Sequence, residues 1–175
     1  MNLGFKILTS ANWLEPDKAS TSFARFSVSD GKIHTIIGEQ FLNDIMKPKL
    51  IKAVPKEICS LLEVARGAMI YGYFFYPLYT LGCEQLFRVA DTATTYKCNE
   101  VKAPHSVIKC TFENRLKYLI SKDIIPKHKE NTWFAIRKFR NITSHPKCQS
   151  ILPPGQAIGL LERIVEEINS LFKCL

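Results

Sequence analysis

The segment 140–146 combines two side chains that can act on a phosphodiester. It reads Arg-Asn-Ile-Thr-Ser-His-Pro, and it places Arg140 five positions before His145. A guanidinium group can neutralise the charge of a phosphate, and an imidazole can move a proton near neutral pH. The pair is therefore a candidate site for cleavage of RNA without a metal ion.

The residues before Arg140 predict an amphipathic helix that carries it. In an unbroken helix His145 would lie about 140° round the axis from Arg140. The residue before a proline is pushed out of the helical region, so Pro146 predicts that the helix stops near His145 and that the imidazole can turn back toward the guanidinium. The apolar stripe that predicts burial of this helix consists of Trp133, Ala135, Ile136, Phe139 and Ile142.

Each of these polar residues also has a structural interpretation. Arg140 can neutralise the C-terminal end of the helix, with His145 an ordinary residue behind it. Asn141 can orient the phosphate or the histidine, or it can make local hydrogen bonds at the helix end. The spacing alone does not separate these readings, so the surrounding charge and fold must do so.

The charge of the chain is high and unevenly placed. The 175 residues fit one domain, and their 46% apolar and 23% charged content is that of a folded protein. The net charge is +8, and between Lys122 and Lys147 seven basic residues stand against two acidic ones. Such a cluster around the candidate site indicates a polyanionic partner. The predicted RNA-binding residues are Lys127, Lys129, Arg137, Lys138 and Lys147.

The sequence gives little support for a metal site or a glycine-rich phosphate-binding loop. The six cysteines form no Cys-x2-Cys pair and have no histidine at zinc-ligand spacing, and the eight glycines do not cluster into a phosphate-binding loop. We predict neither a metal nor a cofactor.

The N-terminus lacks the features of a signal peptide, and the most apolar run, 68–81, is too short to span a membrane and is interrupted by Pro77. We expect reduced thiols in a cytoplasmic protein with no membrane partner.

The sequence predicts an all-α fold behind an irregular N-terminal arm. Residues 1–34 contain turn signals, and Phe23, Phe26 and Val28 indicate a short strand or an arm lying on the domain. From about Thr35 to residue 175 the apolar spacing is helical, which predicts an antiparallel bundle of five or six helices. Pro77 should kink or split a long helical stretch. Helix starts are predicted at Ser106 and at Asn131 or Thr132.

Several of these features together resemble a HEPN domain. The resemblance rests on the aromatic run 73–78 with Glu84, Gln85 and Arg88 after it, on the Arg-x4-6-His spelling of 140–145, and on a closing helix after Pro154. It covers about residues 55–175 and leaves the first fifty residues unexplained. Within that family, the chain is similar to the bacterial ribonuclease and toxin type.

The resemblance implies a metal-independent endoribonuclease, often part of a toxin–antitoxin or phage-defence system. It implies a homodimer in which two Arg–His motifs line one cleft, an RNA substrate, and an antitoxin or defence-complex partner. Arg140 would bind the scissile phosphate, His145 would act as general base or acid, and Asn141 would assist. An acidic residue on the aromatic helix can approach the motif in this family, which makes Glu84 a further candidate.

The main alternative is a non-catalytic HEPN-like module that dimerises or binds nucleic acid, with Arg140 and His145 vestigial. A regulator that grips a phosphate without cutting it is also possible. A DNA-reading helix fits less well because Trp133 and Phe139, which share the helix of the basic residues, are predicted core. The apolar excess at 71–79 exceeds what a small bundle needs, and this favours a dimer interface there.

Overall fold

An antiparallel helix hairpin built from the most apolar part of the chain forms the centre of the fold. The computed structural model describes residues 6–144 and 152–173. In it α3 spans Lys56–Tyr71 and α4 spans Leu78–Glu100, and Pro77 immediately precedes α4. A proline inside a helix would remove a backbone hydrogen bond and clash with the preceding turn, so the helical stretch is split there, as predicted. The two helices approach closely at Gly82, where an added Cβ would lie 2.6 Å from Cγ of Met69.

The remaining helices surround this hairpin. They are α1 (Lys18–Thr21), α2 (Gly38–Met46), α5 (His105–Ile108), α6 (Phe112–Ser121), α7 (Glu130–Ser144) and α8 (Pro154–Phe172), with a 3-10 turn at Lys127–Lys129. In the described part of the chain six helices have nine or more residues, and the predicted all-α fold is confirmed. Their shared core includes Leu62, Met69, Leu86, Leu116, Trp133, Leu161 and Ile164.

Long-range contacts fix the directions of α7 and α8 relative to α4. At one end, the Leu152 amide donates to Oγ1 of Thr80 over 3.2 Å. At the other end, the Lys97 ammonium lies 5.4 Å from the ring centroid of Phe172, so α8 runs parallel to α4. Lys129 at the start of α7 pairs with Glu167 late in α8 over 3.0 Å, so α7 is antiparallel to both. The C-terminal turns of α7 therefore lie beside the first half of α4.

Three predicted helix starts lie a few residues away from those in the structure. Residues up to Thr35 pair in a β-hairpin, so α2 begins only at Gly38. Ser106 lies within the short α5, and the cap of the following helix is Thr111, whose hydroxyl accepts from the Asn114 amide over 3.3 Å. The helix α7 begins at Glu130, one residue before the first predicted cap.

The N-terminal arm contains the strand predicted near Phe26. Here β1 (Ala24–Ser27) pairs antiparallel with β2 (Lys32–Thr35), and Phe26 stands opposite Ile33. The predicted domain boundary between residues 34 and 35 falls inside β2. Gly31, with φ of +66°, adopts the left-handed conformation in the connecting turn.

A buried carboxylate anchors this arm to the α3–α4 turn. Asp17 is 2% exposed. Its Oδ1 caps α1 by accepting from the Ala19 amide, and its Oδ2 accepts from the Tyr76 amide, each over 3.0 Å. Its own amide donates to the Tyr73 carbonyl over 2.9 Å. Backbone groups of a tight turn that would otherwise be buried without partners are therefore satisfied by the arm.

Aromatic packing extends this contact. The ring of Phe23 stacks on Tyr76 with centroids 6.1 Å apart, and Tyr76 and Tyr79 are buried. Tyr71, at the end of α3, remains 62% exposed. Part of the apolar run 71–79, which we expected a second chain to cover, is thus covered by Phe23 of the arm and by Phe41 of α2, which packs on Tyr73 and Tyr79.

The thiols in the described part of the chain are free. Cys83 and Cys98 are buried, and burial raises the pKa of Cys83 to about 12 and that of Cys98 to about 11. Both thiols are therefore protonated at neutral pH. None of the helices described has the length and apolar character needed to cross a membrane.

We predict that Asp17→Ala destabilises the protein by about 2 kcal/mol or more, because it removes a helix cap and strands the buried Tyr76 amide. Urea unfolding followed by circular dichroism measures the loss. Glu15→Ala, which removes an exposed acid two residues earlier, is the matched control and should be near neutral. Equal unfolding midpoints for the two variants would show that Asp17 does not anchor the arm.

Candidate functional site

Arg140 lies in the C-terminal part of α7, where this helix packs on α4. Its Nη2 is 3.5 Å from Oδ2 of Asp91 in α4. Its neighbour Phe139 stacks on Phe87, one helical turn before Asp91, with ring centroids 6.2 Å apart. The Arg140 side chain is nevertheless 40% exposed. Packing therefore holds the arginine on α4 while part of the side chain stays accessible to a ligand.

The carboxylate of Asp91 is shared by two arginines. Oδ1 accepts from Nη2 of Arg115 in α6, while Oδ2 faces Arg140. Arg115 also donates to the carbonyls of Ile108, over 3.3 Å, and Cys110, and its side chain is only 9% exposed. One carboxylate thus faces two guanidinium groups, and Arg140 is the more exposed of the two.

A second ion-pair group lies beside the first. Glu113 in α6 accepts from Arg137 of α7 and from Lys117, the latter over 2.8 Å. The Lys117 hydrogen bond, with the charge of Arg137, lowers the pKa of the Glu113 carboxyl. The two groups combine four cationic side chains with two carboxylates, so this side of α6 and α7 is net positive.

Asn141 adjoins Arg140, as its place in the sequence requires. Its Oδ1 is 3.5 Å from Nη1 of Arg140, and its side chain is exposed. The structure therefore brings two of the predicted site residues together. This contact is compatible with an amide that helps to place a phosphate and equally with a local hydrogen bond.

Glu84 lies on the predicted helix, but Asp91 is the acid that meets Arg140. Glu84 stands about two turns, or roughly 10 Å, before Asp91 along α4. Burial raises the pKa of the Glu84 carboxyl, and the charge of Arg88 opposes that shift. Glu84, which the family resemblance suggested, lies in the same helix as Asp91, and Asp91 itself was not predicted. A signal for it existed, since Asp91 is an acid within a run whose neighbours Leu86, Val89, Ala90 and Ala93 are buried.

Among the described residues, those predicted to bind RNA do not form one surface around Arg140. Lys127 and Lys129 precede α7 and lie on the order of 15 Å or more from Arg140 along the helix axis. Lys129 pairs with the buried Glu167, and Lys127 pairs with Glu130. Near Arg140 there remain Arg137, engaged by Glu113, and the exposed Lys138.

His145 and Lys147 lie outside the described residues, together with Pro146. The helix α7 is described as far as Ser144, the residue directly before His145. The predicted pairing of His145 with Arg140 therefore stays a prediction.

Phe139 corrects the predicted core. It belongs to the apolar stripe of α7, yet it is 53% exposed, while Trp133 and Ile136 are buried. Phe139 lies at the flank of the stripe, where one side of its ring meets Phe87 and much of the rest faces solvent.

Comparison with protein-family models, with curated proteins and with solved structures finds no match for this chain. Across residues 6–144 and 152–173, no cluster of three or more His, Cys, Asp or Glu side chains is arranged to hold a metal ion.

We predict that Asp91→Asn lowers the free energy of unfolding by about 3 kcal/mol, because it leaves the buried Arg115 without a carboxylate. Arg140→Ala should cost no more than about 1 kcal/mol, since its ion pair is long and partly solvated. Urea unfolding of the two single variants measures both losses, and the double variant measures how far the two residues depend on each other. A loss for Arg140→Ala as large as that for Asp91→Asn would make Arg140 a structural residue rather than a site residue.

Proposed function

We propose that this protein is a cytoplasmic, metal-independent endoribonuclease of the HEPN-like type, acting as a toxin or phage-defence effector. The observation that supports it most is the 40% exposed side chain of Arg140, held on a carboxylate that Arg115 already engages. A guanidinium that is fixed on its helix and partly exposed suits a phosphate whose charge grows in the transition state. The spelling of 140–145 adds a proton carrier next to it in the sequence.

The reaction would use the RNA's own 2′-hydroxyl as nucleophile. A base removes the 2′ proton as the 2′ oxygen attacks the adjacent 3′ phosphorus, and the bond from phosphorus to the 5′ oxygen breaks. An acid donates a proton to the departing 5′ oxygen, leaving a 2′,3′-cyclic phosphate and a 5′-hydroxyl. Arg140 would stabilise the pentacoordinate phosphorane, and His145 would serve as the base or the acid.

A shared cleft between two copies would supply the second proton carrier. One chain offers a single histidine in the motif, while the reaction needs both a base and an acid. A twofold homodimer that brings two Arg140–His145 motifs together would provide both groups. An antitoxin or a larger defence complex would restrain such an activity in the cell.

We predict that the purified protein cleaves RNA in the presence of EDTA and leaves 2′,3′-cyclic phosphate ends. Arg140→Ala and His145→Ala should each reduce the rate by about 10²-fold or more, the scale for losing an oxyanion donor or a proton-transfer group. Gel assays with end-group analysis measure both results, and Lys32→Ala, which changes an exposed lysine of β2, is the control.

RNA carrying a 2′-O-methyl group at the cut site should resist, because it lacks the nucleophile. Cleavage that disappears in EDTA and returns with Mg²⁺ would refute the mechanism. Binding of RNA with no cleavage by the folded protein would favour the non-catalytic binding module instead.

The shared cleft predicts complementation between inactive variants. Mixing Arg140→Ala with His145→Ala chains gives heterodimers in which one cleft retains one arginine and one histidine, so part of the activity should return if a single residue of each kind suffices. Light scattering at micromolar concentration should show a dimer, and the rate of the mixture is compared with that of each variant alone. A fully active monomer would exclude the shared cleft.

A further inference from the structure

We propose that Phe139 is a stacking platform for an unpaired base of single-stranded RNA, next to the phosphate that Arg140 binds. This inference rests on the proposed function in taking RNA as the ligand. It adds a substrate class, namely single-stranded RNA with an unstacked base at the site. It also names Phe139 as the residue that selects this substrate.

The ring of Phe139 is both exposed and held in place. The residue is 53% exposed, and its ring lies within 12° of parallel to that of Phe87, which is buried in α4. An aromatic side chain fixed on a buried ring loses little conformational freedom when a second flat group stacks on it. Bases of any sequence present such a flat face, which makes an aromatic platform a common element of single-strand binding.

The position of Phe139 matches the layout of a nucleotide, which joins a flat base to a charged phosphate. Phe139 and Arg140 are consecutive on α7, and their partners Phe87 and Asp91 lie about one turn apart on α4. An apolar ring and a partly exposed guanidinium therefore stand side by side, both supported by the same helix. Phosphate binding at Arg140 would bring an adjacent base within reach of the ring.

Exposed cations on these two helices suit a nucleic acid, and the exposed ring favours a single strand over a duplex. Arg88, which follows Phe87 in α4, and Lys138, which precedes Phe139 in α7, are exposed cations of the two helices that meet at this ring. In a duplex the bases are stacked on one another and their faces are not available, whereas loops and single strands can turn a base outward onto an aromatic ring.

Binding of an uncleavable oligonucleotide tests this proposal separately from catalysis. The probe is a fluorescein-labelled, fully 2′-O-methylated single strand, titrated with the wild-type protein and with Phe139→Leu and Phe139→Trp variants. Phe139→Leu should weaken binding by about tenfold, the loss of one base–aromatic stack, and Phe139→Trp should retain it. Tyr71→Leu, which removes an exposed aromatic at the end of α3, on a different helix from Phe87 and Phe139, is the matched control and should not change the affinity.

Replacing single nucleotides of the probe by abasic ones locates the stacked base. One such replacement should weaken wild-type binding and have little effect on Phe139→Leu, since the stack is already lost there. Equal affinities of the wild type and Phe139→Leu, or equal losses for Phe139→Leu and Tyr71→Leu, would overturn the proposal. If binding depends on Phe139 but ordinary RNA is not cleaved, the stacking role of Phe139 stands and the ribonuclease proposal is wrong. If RNA is cleaved but Phe139→Leu binds as tightly as the wild type, the ribonuclease proposal stands and the stacking role is wrong.

Discussion

The carboxylate of Asp91, which is partly buried, joins three helices. It sits in α4, accepts from Arg115 of α6 and faces Arg140 of α7. A charge in such a place is tolerated only when its partners are fixed, and Arg115 is fixed in turn by two backbone carbonyls. The positions of α6 and α7 on the central helix thus depend on the same group that places the candidate phosphate ligand.

The two arginines that face Asp91 differ in how far they are buried. Arg115, almost fully covered, serves the packing of the helices, whereas Arg140 is the partly exposed member of the pair. An ion pair of 3.5 Å in partial contact with water contributes little to stability. In the proposed function, the guanidinium would exchange part of its interaction with Asp91 for a phosphate.

The N-terminal arm packs on the turn of the central hairpin and satisfies buried groups there. The turn between α3 and α4 is rich in aromatic residues and has backbone groups that water cannot reach. Asp17 satisfies the Tyr76 amide, and Phe23 covers the ring of the same residue. The arm is therefore part of the folded unit rather than an appendage, and the aromatic surface it covers is not available to a second chain.

Local signals in the sequence determined the helical fold because they act over one or two turns. The proline at position 77 splits the long apolar stretch wherever the rest of the chain lies, and the spacing of Trp133 and Ile136 marks the buried face of α7. The same reasoning placed Arg140 and Asn141 beside that face. It failed at the flank of the stripe, where Phe139 was expected in the core.

Only the tertiary structure decided which distant residues meet. Asp91 and Arg140 are separated by 49 positions and Asp17 and Tyr76 by 59, and no local pattern couples them. Their pairing depends on how α4, α6 and α7 fit together side chain by side chain, which is why the sequence pointed to Glu84 and the fold selected Asp91. It also assigned Lys129 to the buried Glu167 instead of to a shared basic surface, because a buried carboxylate requires a nearby cation.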